Sequence, residues 1–424
     1  MKPFNRSVKN LKSQPHFNMS EVKNIPRLRF SEFKNNWSKK YLKSISKVKG
    51  RIGFRGYTKS DLVEECSGAL VLGGKNISNY RLDLSDRTYL NWDKYHESPE
   101  IKLNTEDILL SQRGTLGDVA IIDKLIGHST INPSMVVLKE ININPFFLFF
   151  QLCAEGIQTT IKRVTTSTAV PMISQKQIGE FIINVPSLPE QQKIADFLTA
   201  ADKRIELLEK KKTLLETYKK GVMKKIFNQE IRFKDDSGND FPDWEEKKLG
   251  EIGDIVTGKT PSTSNKSYWN GQIQFITPTD IHSGIKYQRD TTRTVTEFKG
   301  IKILPVGSIV YTCIASIGKM AITKNPSITN QQINSIITKD INTEFLYYSL
   351  QYLTPRIQSL KSTTTLPIIN KTEFTGFKIH CPAIIEQVKI SKFLSSIDTQ
   401  LELLETQIDK SKTWKKGLLQ KMFV

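Results

Sequence analysis

Gly253-Asp254-Ile255-Val256-Thr257-Gly258-Lys259-Thr260 satisfies the phosphate-binding pattern GxxxxGK[ST] letter for letter. Such a loop needs an apolar strand entering and a helix leaving, so that backbone amides converge on phosphate. The entering stretch here, Glu245-Glu246-Lys247-Lys248, is charged, and Pro261-Ser262-Thr263-Ser264-Asn265 beyond it reads as a turn. Ile255 and Val256 have the character of strand residues, so nucleotide binding is not expected. Pro242-Asp243 with Glu245-Glu246-Lys247 echoes a nuclease motif, but the spacing cannot put two strands around a metal. Asn132-Pro133-Ser134 resembles the start of an adenine-methyltransferase motif, yet lacks the second proline and the aromatic residue, and no glycine-rich cofactor loop accompanies it. His16, His96, His128, His282 and His380 show no metal-ligand spacing. These residues predict a chain with no catalytic machinery and no metal of its own.

What is abundant instead is hydrogen-bond donors and cations on turns. Arg and Lys suit guanine edges and phosphates, Asn and Gln suit adenine, and Ser and Thr serve either. The first half offers Arg51, Arg55, Tyr57, Lys59, Lys75, Asn76, Gln112 and Arg113, then Lys162-Arg163 ahead of Thr165-Thr166-Ser167-Thr168. In the second half Lys259, Thr260, Ser262, Thr263, Ser264, Asn265 and Lys266 crowd one loop before Tyr268-Trp269. Lys319, Asn330, Gln331, Gln332, Lys361, Thr363 and Thr364 follow. An isolated Lys or Arg is ordinarily a solvated charge, so weight falls on the clusters. Asn132 and Asn330 are equally well read as turn formers. Trp37, Trp244 and Phe197 are read as core rather than as base-stacking platforms.

The charge balance points the same way: 62 Lys and Arg against 43 Asp and Glu leave +19, which favours a polyanionic partner. No apolar run reaches membrane length, Phe146-Phe147-Leu148-Phe149-Phe150 being the greasiest, so no membrane partner is expected. Cys66, Cys153, Cys313 and Cys381 are scattered, which suits free thiols in a reducing, cytoplasmic setting. At 424 residues the chain exceeds one ordinary core. Residues 1–24 form a basic, polar tail expected to be disordered, with Met19 as an alternative start and no signal-peptide core.

Two stretches must position those donors. Pro186 to Phe227 recurs as Pro382 to Phe423 at a constant offset of 196 residues and without a gap. Glu190-Gln191 matches Glu386-Gln387, Asp202 matches Asp398, and Lys219-Lys220-Gly221 matches Lys415-Lys416-Gly417, which marks an internal duplication. Ile194, Leu198, Ala201, Ile205, Leu208, Leu215, Val222 and Ile226 fall on alternating steps of four and three, the pattern of a long amphipathic helix. Lys212 and Lys219 interrupt this stripe, as Ser411 and Lys415 interrupt the second. A helix of this size is about 55 Å long, and one apolar stripe needs a partner, for which its own repeat is the nearest candidate.

The stretches between repeat as well. Ala69–Leu72, Asp107–Leu110, Val119–Ile122 and Met135–Leu138 read as strands, and Pro145–Glu155 as a helix. Trp37 and Trp244 each follow an Arg-Phe pair, Arg29-Phe30 and Arg232-Phe233. Gly114-Thr115-Leu116-Gly117 aligns with Ala315-Ser316-Ile317-Gly318. This order of parts, with strings such as Gly50–Leu62 (GRIGFRGYTKSDL), Asp107–Asp123, Gly258–Ile281, Thr329–Ile336 and Ser362–Phe374, resembles the specificity subunit of type I restriction–modification enzymes.

The resemblance implies an α+β fold of two globular β-rich target-recognition domains joined by two long antiparallel, coiled-coil-like helices, a pseudo-twofold internal repeat. It divides the chain into recognition domains at 25–188 and 229–384, a central helix at 189–228 and a C-terminal helix at 385–424. It also implies that each domain reads half of a bipartite, asymmetric sequence in double-stranded DNA. The helices would dock two methyltransferase subunits, to which restriction subunits add; S-adenosylmethionine, ATP and Mg would bind those partners. Glu206, Glu209, Lys210, Lys211, Glu402 and Glu405 on the outer helix faces are candidates for docking, or else a solvated flank. The alternatives are a stand-alone methyltransferase or nuclease, and a scaffold that binds only protein.

Overall fold

A computed structural model describes residues 25–124, 126–165, 171–298, 300–361 and 367–424. The expected tail at 1–24 therefore lies outside the described residues. The chain divides into two compact units, one made of residues up to Leu207 with Ile408–Val424, the other of Leu208–Gln407.

In the first unit the segments without polar alternation form the centre of a sheet. Lys47–Gly50, Met135–Lys139, Ile108–Ser111 and Val119–Ile121 pair in that order, all antiparallel. Both faces of this sheet are covered, which is why Met135–Leu138 (MVVL) reads as a continuous apolar run. Val136 and Leu138 face a cluster with Phe147 and Leu198, while Met135 and Val137 face a second cluster with Leu72 and Ile131. A second sheet runs Ser129–Ile131, Ala69–Leu72, Tyr89–Leu90, Leu62–Val63, its first pair parallel. The helix Pro145–Cys153 opens on Asn144, whose side chain accepts from the Phe147 amide, with proline where no amide is needed. It stops short of the expected Glu155, where a separate helix, Glu155–Thr165, begins.

The second unit repeats the plan. Gly253–Thr257, Ile333–Thr338, Ile309–Thr312 and Met320–Ile322 form the corresponding sheet. Asn342 accepts from the Phe345 amide at the start of Thr343–Lys361, as Asn144 does in the first unit. The strand Gly253–Thr257 engages its amides in this ladder, so the phosphate-loop letters there fold into a sheet.

The long helices are Leu188–Phe227, 40 residues, and Ile384–Met422, 39 residues. Each is rooted the same way. Glu190 is 1% exposed and accepts from Arg29 Nε and Nη2 at 2.7 Å each and from the Trp37 indole at 3.2 Å. Glu386, fully buried, accepts from Arg232 Nη2 at 2.9 Å and the Trp244 indole at 3.2 Å. The neighbouring glutamines match too: Gln191 accepts from the Asn144 amide, and Gln387 from the Asn342 amide, at 2.9 Å each. Phe30 meets Phe197 edge-on, and Phe233 meets Phe393 likewise, both at 5.8 Å.

Within the second unit Lys212 pairs with Glu405 and Lys219 with Asp398, so rising numbers on one helix meet falling numbers on the other and the packing is antiparallel. Lys219 reaches Asp398 at 2.6 Å, and within the first unit Lys415 reaches Asp202 at the same distance. Lys219 and Lys415, which break the apolar stripes, are thus inward-facing halves of ion pairs that repeat across the duplication. Helix ends finish each core: Phe423 packs on Trp37 and Phe147, and Phe227 on Trp244 and Phe345.

Glu386→Ala should leave the Trp244 indole without its acceptor and strip the Arg232 guanidinium of its buried carboxylate. The expected loss is about 3–5 kcal/mol, read as a fall in the urea midpoint, with Glu386→Gln recovering part of it because it keeps shape and one acceptor.

Candidate nucleic-acid interface

The strand Lys47–Gly50 runs into Arg51, which is only 6% exposed. Its Nε donates to Ile131 O at 3.2 Å, its Nη2 to Thr130 Oγ1 at 3.2 Å and its Nη1 to Arg55 O at 3.3 Å. Burial lowers its pKa from the ordinary arginine value, the charges of Tyr57 and Glu100 opposing this. Arg51 therefore anchors a loop rather than offering a fork to a base, which corrects the expectation for it. Asn76 is also internal: its oxygen accepts from the Gly73 amide and its nitrogen donates to Asp83 O and Asp86 O, stapling the loop after Ala69–Leu72. Gln112, buried as well, donates to Pro133 O at 2.9 Å. All three were expected at the interface because their types suit bases; their burial assigns them to the scaffold instead.

The residues they support converge. A cleft of about 440 Å³ is lined by Tyr57, Lys75, Arg113, Thr115, Asn132 and Ser134. Burial raises the Tyr57 hydroxyl above its usual pKa, partly offset by Arg51 at 5.3 Å, so it is a donor at neutral pH. Lys75 is exposed and pairs with Asp86 at 2.8 Å, an ion pair of the kind that exchanges readily for phosphate. Arg113 is exposed, its Nε donating to Met172 Sδ at 2.8 Å. Asn132 accepts from the Ser134 amide and hydroxyl at 2.9 and 2.6 Å, the turn-former arrangement. Nearby in sequence, Lys59 is exposed on the turn Lys59–Asp61, and Arg55 is half-buried, 3.4 Å from Glu100. Arg163 is exposed in the last turn of Glu155–Thr165. Thr166 and Ser167 lie outside the described residues.

In the second unit the loop after Gly253–Thr257 carries the cluster. Gly258 is required by close approach: a Cβ there would lie 2.1 Å from Asn330 O. Lys259, Ser262, Thr263, Ser264, Asn265 and Lys266 are all exposed, while half-buried Thr260 donates to Gln331 at 2.6 Å. The loop is braced by the Trp269 indole on Ser262 O at 3.1 Å, by Asn265 accepting from Ser267, and by Tyr268 stacked on Phe298 at 4.8 Å. Lys319 is half-buried and donates to Pro278 O at 3.4 Å. Asn330 accepts from the Gln332 amide and donates to its side chain, so the turn-former alternative describes Asn330, with Gln332 as its partner. Thr363 and Thr364 lie outside the described residues. Among the described residues no group of three His, Cys, Asp or Glu could hold a metal, and no helix is long and apolar enough to cross a membrane.

The family profile described as type I restriction modification DNA specificity domain matches residues 87–217 and again 242–411. The chain belongs to this family. The MjaIX specificity subunit of Methanocaldococcus jannaschii is 35% identical over 186 residues, 42% of this chain and 43% of that protein. The HindI specificity subunit of Haemophilus influenzae is 26% identical over 377 residues, 70% of this chain and 82% of that protein. In fold, the type I specificity subunit from M. genitalium covers 94% of this chain and 99% of its own, with TM-score 0.57 at 18% identity. As a specificity subunit the chain is the non-catalytic, DNA-recognising member of its system.

On the helices of this specificity subunit Glu206, Lys210, Lys211 and Glu402 are exposed and Glu209 half-buried. Glu206 pairs with Lys203 at 3.0 Å, and Glu405 faces Lys212 of the other helix. The acidic and basic pattern missed an apolar face: Leu207, Leu214 and Tyr218 are 55%, 61% and 54% exposed, and Leu403 is 58% exposed. The signal was present in the doublets Leu207-Leu208 and Leu403-Leu404, whose first leucine falls off the inward stripe. Phe54 was missed as well, at 84% exposure.

For DNA binding by the assembled complex, Lys259→Ala should reduce the slope of log K against log salt by about 0.9 without changing the target. Asn76→Ala should instead lower the melting temperature and leave the slope as it was.

Proposed function

We propose that each unit reads one half of a bipartite, asymmetric target in double-stranded DNA, and that the two long helices set the distance between the halves. The observation that carries this is the duplication of a common frame under different loops. The rooted helix and four-stranded sheet recur, whereas the loop residues differ in kind, Tyr57, Lys75 and Arg113 in one copy and Lys259, Ser262, Thr263, Ser264, Asn265 and Lys266 in the other. Helices of 40 and 39 residues, about 60 Å each, suffice to span half-sites about 34–36 Å apart. The surplus of +19 supports salt-sensitive phosphate contacts.

In this reading the outward apolar residues Leu207, Leu214, Tyr218 and Leu403 receive helices of two methyltransferase subunits, and restriction subunits join through them. Those partners bring S-adenosylmethionine, ATP and Mg, and extrude an adenine in each half-site for methylation. The complex acts in the cytoplasm, where the chromosome is.

Replacing residues 229–384 by the matching segment of another specificity subunit should alter one half of the methylated motif, as mapped across a genome, and leave the other half intact. An unchanged motif, or loss of both halves together, overturns the two-reader assignment. Leu214→Glu with Tyr218→Glu should abolish co-purification of methyltransferase subunits while the circular-dichroism melt stays within a few degrees of wild type.

A further inference from the structure

Residues 51–57 of the first unit present an apolar tip on a rigid base. The turn Gly53–Arg55 carries Phe54, 84% exposed, more than any other large apolar side chain described. Single exposed apolar residues are common on surfaces and need no role of their own. Phe54 differs in what holds it. Beneath the turn lies buried Arg51, with Nη1 on Arg55 O at 3.3 Å, Nε on Ile131 O and Nη2 on Thr130 Oγ1. The Arg55 guanidinium lies 5.6 Å from the Phe54 ring centroid. Tyr57, three residues on, lines the cleft that also holds Lys75 and Arg113. Three residues span at most about 11 Å, so the tip lies within that reach of a residue lining the cleft.

A phenyl ring held out by a preorganised turn, with a guanidinium over it and donors for bases alongside, matches the side chains that enter DNA between base pairs. Such wedges unstack one step and bend the duplex, and the bend brings more backbone against the protein. We propose that Phe54 is a wedge inserted at one base step of the half-site read by the first unit. The inference rests on the DNA-reading assignment above and deepens it. The second unit offers no such tip in its loop: Tyr268 is stacked on Phe298, and the Trp269 indole donates to Ser262 O. The proposed distortion lies in the half-site read by the first unit, and it favours a flexible pyrimidine–purine step there.

The test uses the complex reconstituted with its methyltransferase subunits on a duplex carrying its mapped target. 2-Aminopurine is placed at one position at a time. With wild type, a step in the first unit's half-site, distinct from the methylated adenine, should brighten on binding, and no such step should brighten in the other half. Phe54→Ala should abolish that signal and weaken binding roughly tenfold with an unchanged salt slope, since no phosphate contact is lost. Phe54→Leu should keep the signal. The wedge is overturned if no step brightens besides the target adenine, or if the brightening survives in Phe54→Ala. A complex that binds and methylates its target normally while Phe54→Ala behaves as wild type removes only the wedge; a complex with no preference for the target removes the DNA-reading assignment itself.

Discussion

Two carboxylates without access to water organise this fold. Glu190 and Glu386 lie at the first turn of each long helix, and a buried carboxylate persists only where charge and donors meet it. Each receives an arginine and a tryptophan indole from the segment that opens its unit. The indoles in turn pack against Phe147 and Phe423, or Phe345 and Phe227. One buried charge thus ties together the entry of the chain, a helix of the module, the root of one long helix and the tip of the other. Surface loops can vary over such a root without moving it, which is what a protein that must change its target while keeping its partners requires.

Above that shared root the copies have diverged in how the module grips the helix. In the first unit Arg81 reaches Asp202, its Nη2 also donating to the backbone there. In the second, Lys286 donates to Ser395 at 2.8 Å and lies 3.3 Å from Glu344, while the Tyr348 hydroxyl donates to Asp398. Phe150 occupies the place of Tyr348 in the first unit, where Lys415 lies over its ring. Desolvation would raise the Glu344 carboxyl, but hydrogen bonds from Ser395 and Tyr287, with Lys286 nearby, outweigh it and hold the pKa low. Burial and the neighbouring Asp398 keep the Tyr348 hydroxyl protonated.

Much of this was legible in the chain. The offset of 196 residues exposed the duplication, and strands such as Ala69–Leu72 and Met135–Leu138 announced themselves as uninterrupted apolar runs. The ion pairs were legible only as blemishes, since Lys219 and Lys415 interrupt a pattern that records no partner. Arg51, Asn76 and Gln112 misled for a related reason. A guanidinium or carboxamide that staples a loop is the same group that reads a base, and residue type does not say whether the donors point in or out. Phe54 and Leu214 gave no signal of their own, because apolar type suggests a core and only the fold reveals the exposure.

The reciprocal salt bridge has a consequence for ancestry. Asp202 and Lys219 stand on one helix, and their counterparts Asp398 and Lys415 stand on the other. A polypeptide of half this length would carry both an aspartate and the lysine that answers it, together with a phenylalanine tip to finish a neighbour's core. Two identical half-length chains would thus supply each other's ion-pair partners and core tips.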